Sequence, residues 1–259
     1  MKQRTYMKFM GSELRMNFSE SINYKFGFIT DIIIYIALYS VFILTGSGYK
    51  LTQQYTYGNS RVLVLSAYIV WLLSLAPINE ICNDIRSENI RGTLEQKLMS
   101  VYPTWWILFC KMLSSILVML LEVAAVLAIA ALVLKVYIVY NLWQILIIVV
   151  DIIGMSGLAL MMGAVVLDKK SIGQFLLIVQ IALLFLSNVV TKVSSGFLEK
   201  LIPLSYANRL VRLIAAGNSD IGQEVVMFSV ISAIWLLLGI CVFNKMIKNC
   251  KKKGTISLF

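Results

Sequence analysis

The sequence predicts an all-α, polytopic membrane protein. It has six transmembrane helices, an N-terminal amphipathic interface helix, a short cytoplasmic helix between the second and third spans, and a re-entrant segment before the last. Three observations predict this. Of the 259 residues, 59% are hydrophobic and only 14% charged, with a mean hydropathy of +0.84; soluble domains sit nearer about half apolar and about a quarter charged. The apolar residues gather into runs near 28–46, 62–82, 105–134, 143–167, 172–190 and 223–244, and a bilayer core requires roughly 20 such residues per helix. The lysines and arginines are unevenly divided among the segments that separate these runs.

Residues 1–27 form a polar, basic tail in which Met7, Met10, Leu14 and Phe18 recur at helical spacing among Lys8, Ser12 and Arg15. The pattern predicts a helix lying along the inner face and not a cleavable leader, because no short apolar core precedes a small-residue cleavage site. The third run is longer than a span requires. Its first turns, at Trp105 and Trp106, are expected in the headgroup layer that indoles favour. Residues 191–222 are too apolar for a solvated loop. Phe197, Leu198, Leu201 and Ile202 precede Pro203, while Leu204, Tyr206, Leu210, Leu213 and Ile214 follow it, which predicts two half-helices folding back at the outer leaflet and broken by the proline.

With the N-terminus inside, 16 of the 23 basic residues fall on the inner side. They lie in the tail (Lys2, Arg4, Lys8, Arg15, Lys25), around the second connection (Arg86, Arg91, Lys97, Lys111), at Lys169 and Lys170, and in the basic tail 245–259. The remaining seven are Lys50, Arg61, Lys135, Lys192, Lys200, Arg209 and Arg212. This is the positive-inside bias, and it predicts one multi-pass domain over 1–259 in the cytoplasmic membrane with both termini cytoplasmic.

Several function classes are excluded on composition. The chain has no histidine, which removes the commonest acid–base group and metal ligand. Cys82, Cys110, Cys241 and Cys250 show no Cys-x-x-Cys spacing, and read as small apolar residues kept reduced on the cytoplasmic side. No glycine-rich phosphate loop ending in Lys-Ser/Thr is present. The net charge of +10 belongs to membrane-flanking segments, so nucleic acid is not expected as a partner. Catalysis and a metal site are likewise not expected.

The connection 83–103 is the most informative stretch. Gly92 interrupts the extension of the second span, and Thr93 with Gln96 matches a capping box. Glu95 suits the first turn of the helix dipole, and Pro103 closes the element. The result is a helix of about two turns with Leu94 and Leu98 on one face. Two readings follow: an apolar pair shown to the cytosol for a partner's groove, or a loop helix packed on the chain's own helix ends. The pattern Glu88-x-x-Arg-Gly92-Thr93-Leu94-Glu95-x-x-Leu98, with Pro103 after it, resembles the signature of ABC-2 type transporter permeases. The six-span layout, the amphipathic tail and the folded-back segment extend the likeness over most of the chain. The resemblance implies a coupling helix formed by Glu88, Gly92, Thr93, Leu94, Glu95 and Leu98 that docks on a separate ABC ATPase, which binds ATP and Mg²⁺. It also implies a second permease subunit, identical or not, so that the pair encloses a path for outward movement of an amphipathic drug, peptide, lipid or glycan. The chain itself would be a transport subunit among membrane lipids. The competing function is a non-transporting immunity or scaffold protein that binds a toxin or lipid.

Carboxylates inside a bilayer are costly and mark candidate sites. Asp31 lies near the inner end of the first span, where it reads as reaching headgroups or Lys25. Glu122 and Asp151 lie well inside, on the third and fourth spans, at depths that place both on one cavity. They read either as an acidic patch on the path of a cationic cargo, or as a hydrogen-bonded structural pair with Gln180 or Asn188. Gly154, Gly157 and Gly163 after Asp151 suit close helix packing.

Overall fold

The computed structural model of the chain describes residues 10–16, 18–19, 25–45, 60–99, 104–138, 140–169, 173–189, 196–217 and 221–253. The helices are α1 (Lys25–Leu44), α2 (Ser60–Ile90), α3 (Leu94–Leu98), α4 (Thr104–Val133), α5 (Leu142–Lys169), α6 (Gly173–Leu186), α7 (Gly196–Leu201), α8 (Pro203–Ala215) and α9 (Gly222–Lys253). Residues 10–16 are also helical, and no strand occurs among the described residues. Met7, Pro103, several of the basic residues counted above, and the side chains of Glu95, Leu98, Phe197 and Leu198 lie outside the described residues. The Ser114 hydroxyl approaches the Leu14 carbonyl at 3.5 Å, which places the 10–16 helix against α4.

Five helices, α1, α2, α4, α5 and α9, are long and apolar enough to cross a membrane. They match five of the six expected spans. The sixth, expected over 172–190, is α6, which has 14 residues among those described. At 1.5 Å per residue it reaches about 21 Å, short of a ~30 Å hydrocarbon core. Its end explains the difference. Asn188 turns the chain with a left-handed φ of 56°, and the terminal carbonyls are taken up by α8. Ser205 Oγ donates to Leu186 O at 2.7 Å, Asn208 Nδ2 to Ser187 O at 3.1 Å, and Arg212 Nη2 to Val189 O at 3.0 Å. The last carbonyls of a helix have no partner within it, and lipid offers none. The polar residues of α8, which hydropathy alone treats as interruptions, therefore let α6 stop early. Asn188 makes this turn, its N–H donating to Phe185 O at 3.2 Å.

α7 and α8 meet at Pro203. Ile202 is extended at φ −89°, ψ 121°, and Pro203 occupies the first turn of α8, where its missing N–H costs nothing. This is the helical pair expected around the proline. α8 then packs on α5 and α2.

α2 and α5 form the centre. The most apolar window of α2 is 94% buried, against 11% for α1 and 17% for α9, although all three are comparably hydrophobic. α5 also carries α9, α2 also carries α4, and α1 packs mainly on α4. Large apolar side chains such as Ile33, Ile34 and Val41 on α1 and Val230, Ile234 and Leu237 on α9 are exposed. In a bilayer such side chains meet lipid or another apolar surface. The α5–α9 contact is so close that a Cβ on Gly157 would lie 2.2 Å from the Trp235 carbonyl oxygen, and one on Gly239 would lie 2.2 Å from Gly157 O. Gly154 and Gly163 are likewise crowded, by Pro203 and Ser232 and by Ile81 and Ile85. The small residues after Asp151 pack closely, as their spacing predicts.

Candidate functional site

α2 has 31 residues, about 46 Å of helix, so one end outruns the hydrocarbon. That end is finished by a glycine. Gly92 has φ 69°, its N–H donates to Asn89 O at 3.2 Å, and the Thr93 N–H donates to Glu88 O at 3.0 Å. This nested pair of bonds, with glycine at the left-handed position, is a Schellman ending. It turns the chain into α3, which has five residues and not two full turns. The Thr93 hydroxyl donates to the Glu88 carboxylate, so the side chain read as a cap is tied back to α2.

Leu94 is the second correction. It is 6% exposed and belongs to the chain's own core, so it anchors the elbow and does not face the cytosol as half of an apolar pair. Among the described residues, the apolar side chains that project here are Ile90, 70% exposed, and Met99, 72% exposed.

Beneath the elbow lies an ion-pair cluster. The buried Asp84 carboxylate receives Lys97 from α3 on one oxygen and Lys111 from α4 on the other. Glu88 lies 3.6 Å from Lys97 and 3.8 Å from Lys111. Burial pushes the Lys97 ammonium below the usual lysine range, and Asp84 and Glu88 oppose that shift. Removing one member of such a buried network leaves the others uncompensated. Asp84, Lys97 and Lys111 thus fasten three elements at one point. Sequence reasoning passed over Asp84, although Glu80, Asp84 and Glu88 recur at i, i+4 and i+8 along α2, which places them on one stripe.

The stripe opens onto a cavity of about 440 Å³. α1 contributes Gly27, Phe28 and Asp31; α2 contributes Glu80, Asn83, Asp84, Ser87 and Glu88, followed by Arg91; α4 contributes Lys111, Ser114, Ser115, Val118 and Glu122. The α4 residues follow helical spacing, so one polar face of that helix lines the space. Glu122 is only 6% exposed and sits within electrostatic reach of Asp31. The acid read as reaching headgroups or Lys25 therefore lines the same cavity as Glu122.

Asp151 is elsewhere. It is fully buried, accepts from the Ser74 hydroxyl of α2, and does not line the cavity. The two acids expected to share a site are separated because α4 and α5 pack on α2 without forming a major contact with each other. Gln180 donates to Asn79 and not to either acid. The cysteines are free, and no group able to hold a metal ion occurs among the described residues.

Among known proteins, no curated protein and no solved structure matches the chain. The family model described as ABC-2 type transporter matches residues 9–216, a span that takes in the elbow, the ion-pair cluster, the cavity and α8. The chain is accordingly a multi-pass membrane protein of a transport family that is not itself catalytic. It belongs to the ABC-2 type transporter family of permeases.

Proposed function

We propose that this chain is the permease subunit of an ATP-driven exporter, with the elbow as the point at which a separate ATPase acts. The observation that carries the reading is the Asp84 cluster: Lys97 of α3 and Lys111 of α4 share one buried carboxylate of α2. A push on the elbow is therefore delivered to two long helices at once, as coupling requires. On this reading ATP and Mg²⁺ reside in the partner, the elbow and both termini face the cytoplasm, and α7–α8 fold back at the outer leaflet. Two permease copies, identical or not, enclose the path for an amphipathic cargo. The docking surface is formed by Ile90 and Met99, with Leu94 as the anchor that holds them in place.

The test is co-purification with an ABC ATPase co-expressed with this chain. Each buried large apolar side chain contributes roughly 1.5–3 kcal/mol, so Ile90→Ser with Met99→Ser should weaken association by at least about tenfold while leaving thermal stability unchanged. Leu94→Ala should instead lower stability by about 2–5 kcal/mol, as a core truncation does. Undiminished ATPase binding by the double variant would remove the elbow from the docking role. Failure of the wild-type chain to hold any ATPase would favour a non-transporting scaffold.

A further inference from the structure

The wall of the cavity between α1, α2 and α4 has five acidic residues against two basic ones. Of the carboxylates at its wall, Asp84 and Glu88 are matched by Lys97 and Lys111. Asp31, Glu80 and Glu122 have no ion pair among the described residues, and Arg91, the other basic residue at the wall, is exposed. Glu80 is hydrogen-bonded by Ser115. Glu122 stands apart: it is 6% exposed, lines the cavity, and has neither a hydrogen bond nor an ion pair among the described residues. A buried carboxylate without a partner is strongly disfavoured, and one aimed into a space of about 440 Å³ has its partner supplied from outside. The volume lies within the range of small-ligand sites.

The chemistry of the wall narrows the ligand. No group of carboxylates among the described residues converges closely enough to hold a metal ion. A quaternary ammonium is recognised by aromatic faces, and among the described residues Phe28 is the one aromatic residue at this wall. Serine hydroxyls, an asparagine and several carboxylates are acceptors instead, which suits the three N–H donors of a primary ammonium. More than one unmatched acid favours more than one such group. We propose that this cavity binds a small organic polycation bearing primary ammonium groups, with Glu122 and Asp31 as its principal counter-ions and Glu80 as the third.

As cargo recognition the proposal rests on the permease reading, but the binding step itself requires no ATPase. The full chain, purified in detergent, is titrated with radiolabelled spermidine, with tetraethylammonium and 1,8-octanediol as competitors. Spermidine should bind saturably and raise the melting temperature, and neither competitor should displace it. Hydrogen bonds to charged groups carry enough energy that Glu122→Gln and Asp31→Asn should each weaken binding by about tenfold. Asp168→Asn, an exposed acid paired with Lys169 away from the cavity, should leave binding unchanged. Glu122→Gln should not lower the melting temperature without ligand, since no partner is lost; a purely structural Glu122 would lower it. Displacement by tetraethylammonium or octanediol, equal loss in Asp168→Asn, or full binding by Glu122→Gln would each overturn the proposal. Absence of spermidine binding in a chain that still holds its ATPase would overturn the ligand inference alone. Spermidine binding by a chain that retains no ATPase on co-purification would overturn the exporter reading alone.

Discussion

α2 has two unlike neighbourhoods. Toward α5 the contact is dry and set by glycine: Gly163 lies against Ile81 and Ile85 of α2, and α5 in turn meets α9 where the backbones of Gly157 and Gly239 touch and no side chain fits. Toward α4 and α1 the contact is wet and set by charge: Asp84 holds two lysines beside a cavity walled by carboxylates. The first kind of contact is short-ranged and all-or-none. The second can exchange partners, because an ammonium on one carboxylate can be replaced by another. A transporter requires both, a part that keeps its shape and a part that changes it, and here they lie on different sides of one helix.

The comparison breaks most completely at the seam. Gly157→Leu places a side chain where the Trp235 backbone already stands, so α5 and α9 must separate. We expect a loss of about 5 kcal/mol or more, of the order of a domain's whole stability, seen as loss of a monodisperse peak and of the thermal transition in detergent. A normal melting profile would show that α9 is not fastened to α5 at this point.

At the charged side the expected loss is smaller and local. Asp84→Asn leaves Lys97 and Lys111 facing each other with one carboxylate fewer, a cost of about 3 kcal/mol for a broken buried network. Protease cleavage after Lys97 should accelerate while the α5–α9 seam stays protected from hydrogen exchange. Uniform deprotection of both regions would mean that they form one cooperative unit.

The smallest effect sharpens the comparison. Gly92→Ala meets nothing within 4 Å, so only the left-handed backbone at φ 69° resists it. The cost should be about 1–2 kcal/mol, and it should appear as faster exchange at residues 88–93 with little change in melting temperature.

The dry half of this architecture was legible in the sequence. Run length fixes long apolar helices, Gly154, Gly157 and Gly163 announce close packing, and Gly92 marks the end of α2. Gly239 was not seen as its counterpart, because a lone glycine in an apolar run carries no local signal. The wet half was legible only in fragments. Glu122 could be singled out by depth, but its neighbour could not, since pairing depends on which helices touch. α4 turns its acid toward α1, so Glu122 meets Asp31, and Asp151 is left to Ser74. Leu94 was misplaced for a similar reason: spacing puts it on a face, and only the packing decides that the face turns inward. α6 was read as a full span because hydropathy counts apolar residues and does not see that Ser205, Asn208 and Arg212 will finish the helix early.

That last arrangement bears on the order in which the chain is made. The carbonyls at the end of α6 wait for donors that lie 19 to 23 residues further on. While the ribosome is still adding those residues, the α6 terminus has no protein partner and cannot rest in hydrocarbon. It must remain near water or within the insertion machinery until α8 emerges. α6 and α8 are therefore expected to settle as one delayed unit, after α1, α2, α4 and α5 have each had the chance to cross on their own.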